Sequence, residues 1–77
     1  MNALLDRAGT WLTELGIKTK TCPAHPTCLL VNRDDIDALC GAGTIYEEFL
    51  KEIREAFGTN KFYWSSKDRE WLYLDCW

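Results

Sequence analysis

Residues 61–77 run KFYWSSKDREWLYLDCW, and the architecture of the chain turns on how this segment pairs. Two aromatic and apolar runs, residues 62–64 and 71–74, flank a polar connection at 65–70. Runs of this composition bounded by turn-forming residues are strands, and two so close together pair as an antiparallel hairpin. A four-residue loop at 66–69 places Trp64 opposite Trp71 and Phe62 opposite Tyr73. Those four then share one face, with Tyr63, Leu72 and Leu74 on the other. Side chains alternate with a period of two, so a one-residue change in the loop moves a whole strand's set across the sheet. Both faces read apolar, and helices are needed to cover at least one.

The segment before it supplies such helices. Tyr46, Phe49, Leu50, Ile53 and Phe57 recur at helical spacing, which predicts a helix from Thr44 onward with one core-facing stripe. Thr44 and Glu47 have the spacing of a capping box, Gly58 closes the far end, and Glu47–Lys51 and Lys51–Glu55 are i,i+4 pairs. Residues 32–43, NRDDIDALCGAG, predict a shorter helix opened by Asn32 or Asp34 and stopped by Gly41, its acidic first turn matched to the helix dipole. Two helices joined by GAGT invite a helix-turn-helix reading. The second carries Glu47, Glu48, Glu52 and Glu55 against Lys51 and Arg54, and phosphate repulsion opposes docking such a face in a DNA groove.

At the other end, Leu4, Leu5, Ala8, Trp11, Leu12 and Leu15 form the apolar stripe of a helix over residues 2–15, with Asn2 as N-cap and Gly16 just past the last turn. IKTKT (17–21) and LLVN (29–32) are two short strands around the loop CPAHPTC (22–28), whose prolines suit a hairpin tip because they cannot donate to a ladder. The expected fold is therefore a single α+β domain over residues 1–77. An antiparallel sheet is built from an N-terminal and a C-terminal hairpin, with two to three helices packed on one face.

Charge narrows the function classes. Nine basic residues face twelve acidic ones, for a net charge of −3, and the basic residues are scattered rather than striped, so direct nucleic-acid binding is not expected. Asp6 and Arg7 interrupt any signal-peptide core, and no run approaches the ~20 apolar residues of a membrane span. The expectation is a cytoplasmic chain with no membrane association, where stable disulfides are uncommon.

CPAHPTC concentrates the metal-ligating residue types. Cys22, His25 and Cys28 offer three zinc ligands at regular spacing, with Cys40, or failing it Cys76, as the fourth. A small domain stabilised by structural zinc is thus one reading of the chain, and on it chelation or Cys28→Ser lowers the melting temperature. A Cys22–Cys28 disulfide, and ordinary thiols beside a loop histidine, are the others, and they leave the protein without a cofactor. Catalysis is not expected. A cysteine nucleophile needs a base, an orienting group and an oxyanion hole, and the one histidine stands without a nucleophile elbow or glycine-rich cradle. GAG at 41–43 lacks phosphate-loop spacing, and Asp34, Asp35 and Asp37 lack the spacing and glycine of a calcium loop.

What remains is aromatic supply. Six aromatic residues, Phe62, Tyr63, Trp64, Trp71, Tyr73 and Trp77, fall within residues 62–77. Phe62, Trp64, Trp71, Tyr73 and Trp77 are the candidate contacts for a protein partner, since Trp and Tyr dominate interface hot spots. The helix-face carboxylates Glu48, Glu52 and Glu55 form a second, acidic candidate surface. Short acidic chains without a legible active site are frequent among phage-encoded inhibitors, including anti-CRISPR proteins that occupy nucleic-acid grooves. That likeness is one of size and charge and rests on no motif. The expected function is a non-catalytic interaction module, an inhibitor or regulator of a macromolecular partner, with a homodimer through the C-terminal hairpin equally compatible with its aromatic content.

Overall fold

The computed structural model describes residues 3–21, 28–41, 43 and 45–77. Three helices and four strands follow one another as α1 (Ala3–Glu14), β1 (Thr19–Thr21), β2 (Leu29–Asn32), α2 (Arg33–Cys40), α3 (Tyr46–Phe57), β3 (Phe62–Lys67) and β4 (Trp71–Cys76). The strands form one antiparallel sheet in the order β1-β2-β4-β3. Each hairpin pairs within itself, and the two hairpins join through their inner strands, Leu29 opposite Leu74 and Val31 opposite Leu72. This is the expected α+β domain.

Alternation along the strands decides what the helices cover. Leu29, Val31, Leu72, Leu74 and Phe62 point to one side, where they meet Leu5, Ala8 and Leu12 of α1, Ile36 of α2, and Phe49, Leu50 and Ile53 of α3 in a single core. Trp11, Phe57 and Phe62 close one end of it. Their rings lie edge-on or tilted, with centroids 5.9 Å and 5.7 Å apart, a geometry that satisfies the aromatic quadrupole. All three helices contribute to this core, so all three lie on one face of the sheet. No described helix is long and apolar enough to cross a membrane.

Helix ends follow local chemistry. The Asn32 side chain accepts the Asp35 N–H at 2.9 Å and starts α2 directly out of β2. Gly58 takes a left-handed conformation (φ 63°) that ends α3, with the Thr59 N–H returning to the Arg54 carbonyl at 3.0 Å. Only glycine adopts that backbone at little cost. The expected capping box is corrected. The helix begins at Tyr46 with Ile45 as N-cap and no side-chain cap bond, so Glu47 falls in its first turn rather than at the capping position. Thr44 and Asn2, the other expected caps, lie outside the described residues.

The C-terminal hairpin also differs from the expected register. The strands are joined by residues 68–70 rather than by a loop at 66–69. Phe62 pairs with Cys76 and Trp64 with Leu74, then the register shifts between Trp64 and Ser66 so that Ser66 meets Tyr73. Trp64 therefore sits three positions from its expected partner Trp71. The displacement is odd, so it inverts which face one strand shows. Phe62 and Trp64 join Leu72 and Leu74 toward the helices, whereas Tyr63, Trp71 and Tyr73 turn to the other side.

Asn32 is 4 % exposed and is the one buried polar residue among those described, so its cap bond is made away from water. Asn32→Ala is expected to cost about 1–2 kcal/mol, lowering the melting temperature by roughly 5–15 °C in a domain of this size. Asn32→Asp should recover most of the loss in a thermal melt. An unchanged melting temperature for the alanine variant would contradict the capping role.

Candidate functional site

The face of the sheet turned away from the helices is the candidate site. Strand register lays its side chains out in rows: Lys18, Asn32 and Trp71; then Lys20, Leu30, Tyr73 and Ser66; then Cys28, Asp75 and Tyr63. Cys28 and Leu30 form a second, smaller buried cluster with Trp71 and Tyr73 packed against them. Rings on the outer side thus shield the sheet's middle strands where no helix does. The Lys20 ammonium lies 4.4 Å from the Trp71 ring centroid, a cation–π contact that fixes the indole. At the far end Tyr63 and Trp77 stack at 4.9 Å and 33°, and Trp77 is 79 % exposed. Burial on the sheet, followed by the charge and hydrogen bond of the neighbouring Asp75, holds the Tyr63 phenol above its ordinary pKa.

Not every expected contact residue reaches this face. Trp71, Tyr73 and Trp77 do. Phe62 does not: it is 0 % exposed within the core, so its place among the candidate contacts is corrected. Trp64 is half-buried against the same core, and its indole N–H donates to the Tyr46 carbonyl at 3.0 Å, which assigns it to holding α3 on β3. Tyr63 and Lys20 on the surface, and Leu30 buried beneath the rings, are additions to the expected set. Tyr63 was missed because the register inverted its face. The alternation of LLVN could have found Leu30.

The acidic candidates Glu48, Glu52 and Glu55 are exposed on α3, whose opposite side is in the core. They face away from the aromatic surface across the thickness of the domain, so one flat contact cannot use both. Two of the other acids have structural tasks. The Asp35 carboxylate accepts the Lys18 N–H at 2.8 Å, and Asp37 accepts the Tyr46 hydroxyl at 3.0 Å.

Cys22 and His25, two of the four candidate metal ligands, lie outside the described residues, as does the pairing of Cys22 in a disulfide. The other two are not brought together. Cys28 is buried on the outer face with its sulfur 3.8 Å from the Ser65 hydroxyl, while Cys40 is exposed at the end of α2, on the helix side. Among the described residues no group of three or more His, Cys, Asp or Glu side chains is placed to hold a metal ion. Burial, then the charges of Glu52 and Asp37, raise the Cys40 thiol above its usual pKa. Cys76 is also raised by burial, against a lowering by Lys61. Neither is the depressed thiolate that a nucleophile needs.

No family model matches this chain, and neither the curated proteins nor the solved structures contain a detectable relative.

Cys40 offers a check on these electrostatics. Its alkylation at pH 7, followed by peptide mapping, is expected to be slower than that of the same cysteine in the unfolded chain, and to accelerate only above the ordinary thiol range. Glu52→Gln removes one of the raising charges and should speed the reaction at fixed pH. Faster reaction in the folded protein at pH 7 would contradict the assignment.

Proposed function

We propose that this chain is a non-catalytic binding module that engages a protein partner through the outer face of its sheet, acting as an inhibitor or regulator of that partner. One observation carries the reading. All three helices cover one face of the sheet, and the other presents Trp71, Tyr73 and the Tyr63–Trp77 pair to solvent. Contiguous aromatic surface rimmed by charge is the composition of interface cores, and Trp and Tyr bring large rigid area at low entropic cost. A protein partner is favoured over nucleic acid by the net charge of −3 and by the engagement of Lys20 with Trp71. A second copy of the chain is the self-partnered version of the same contact. The exposed carboxylates Glu48, Glu52 and Glu55, on the other side of the domain, support a second and separate reading, an inhibitor of the anti-CRISPR kind that competes for a basic groove through them.

The variants separate contact from folding. Trp77→Ala removes an exposed ring and is expected to leave the folding stability within about 0.5 kcal/mol of the parent while weakening partner capture tenfold or more, about 1.4 kcal/mol. Phe62→Ala should instead cost about 3–5 kcal/mol of stability and unfold most of the protein. Trp77→Ala and Trp71→Ala both capturing the partner at parental affinity, or a loss of capture confined to Glu48→Gln, Glu52→Gln and Glu55→Gln, would remove the outer face as the site.

A further inference from the structure

The two edges of the sheet are treated differently. At the β3 edge, Arg54 clamps the Phe62 carbonyl through two hydrogen bonds of 2.9 Å and 2.7 Å, and the register shift between Trp64 and Ser66 interrupts the strand. Both devices block edge pairing. At the β1 edge neither is present among the described residues. The Asn32 N–H donates to the Lys18 carbonyl at 3.0 Å, which makes 18 and 32 a hydrogen-bonded pair. Such pairs alternate in an antiparallel ladder, so Lys20 directs its backbone at β2 while Thr19 and Thr21 direct theirs outward.

Beside those outward groups runs a groove between α1 and β1, enclosing about 450 Å³, with Leu5, Gly9 and Leu29 among its lining residues. That is within the ~300–1,000 Å³ of ligand-sized clefts. Gly9 has no local reason to be glycine. It lies inside a helix, where it costs about 1 kcal/mol relative to alanine, and it is not among the glycines with positive φ. A Cβ there would meet Leu29 only at 3.6 Å, an ordinary contact. Its missing side chain keeps the groove open over Leu29. The Thr10 and Thr13 hydroxyls on the helix wall donate to the Asp6 and Gly9 carbonyls at 3.2 Å and 2.8 Å, and the charged residues there are Asp6 and Glu14. Lys20 also lines the groove, yet its ammonium is turned over Trp71 on the other face.

We infer that this groove binds an extended, basic segment of a partner protein, which adds to β1 as a fifth strand. Its backbone pairs with Thr19 and Thr21, an apolar side chain rests over Leu29 at Gly9, and cations two positions to either side of it, on the same face of the added strand, meet Asp6 and Glu14. A second copy of this chain is the wrong occupant, since pairing two β1 edges sets Lys18 and Lys20 of one against those of the other. The inference is independent of the outer aromatic face.

The probe is the acetylated, amidated pentapeptide Lys-Thr-Val-Thr-Lys, whose two lysines and valine share one face of a strand, titrated into the ¹⁵N-labelled full chain. Saturable shifts are expected at Gly9, Thr19 and Thr21, with hydrogen exchange of the Thr19 and Thr21 amides slowed about tenfold or more at saturation. The counterpart Glu-Thr-Val-Thr-Glu should bind about tenfold more weakly, and N-methylation of the peptide amides that face β1 should abolish binding without touching its charge. Gly9→Leu should fill the groove and remove binding. If that variant fails to fold, the surface double variant Asp6→Asn/Glu14→Gln serves instead, and it should erase the preference for lysine over glutamate. Absence of saturable shifts, shifts confined to Trp71 and Tyr73, or equal binding of the N-methylated peptide would each overturn the inference.

Discussion

The pairing of β2 with β4 is the constraint on which this structure depends. It joins residues 29–32 to residues 71–74 across the long intervening sequence of α2, α3 and β3, so it is the strand pairing whose loop-closure entropy is greatest and whose loss would leave two separate hairpins. Once Leu29 is set against Leu74 and Val31 against Leu72, every other assignment follows. Those four residues define the inner face. Leu30 and Tyr73, one position along each strand, define the outer face, and β1 and β3 become the edges.

The helices then have one productive place to go. Leu5 and Leu12 of α1, Ile36 of α2, and Leu50 and Ile53 of α3 each need apolar cover, and the inner face provides it as one continuous core. The described residues form two layers, helices on one side and the sheet on the other. The outer face is therefore left to its own side chains: Trp71 and Tyr73 lie over Leu30 and Cys28, Lys20 lies on Trp71, and Tyr63 stacks with Trp77. Its aromatic character follows from shielding as well as from any partner, because residues on a sheet face that no described helix covers must shield the sheet themselves.

The same logic explains what the sequence disclosed. The elements themselves were legible, because each rests on local periodicity and local chemistry: the stripe through Leu5 and Leu12, the Asn32 cap, the Gly58 stop, and the two hairpins. That the helices would share one face was legible too, because both faces of the C-terminal hairpin read apolar and about three helices most simply cover one of them. The faces of β3 were not. They depend on where the register shifts between Trp64 and Ser66, and two consecutive serines carry no signal that one of them is extra. This single shift moved Phe62 and Trp64 from the candidate contact surface to the helix side and brought Tyr63 out. Cys28 and Cys40 could be proposed as co-ligands from composition, whereas their separation across the sheet is a property of strand alternation and of α2 packing that spacing alone does not encode. The β1 groove went unseen because a glycine inside a helical stripe reads as a mild defect until Leu29 is found beneath it.

Solvent paramagnetic relaxation of the four tryptophan indole N–H groups, measured with a neutral soluble gadolinium chelate, tests whether the sheet is covered on one side and open on the other. The structure requires the Trp64 N–H, bonded to Tyr46, to be the most protected indole of the C-terminal hairpin and Trp77 the least, with Trp71 relaxing faster than Trp64. Equal protection of Trp64, Trp71 and Trp77 in the dilute monomer would mean that the outer face is buried, and one-sided coverage would have to be abandoned.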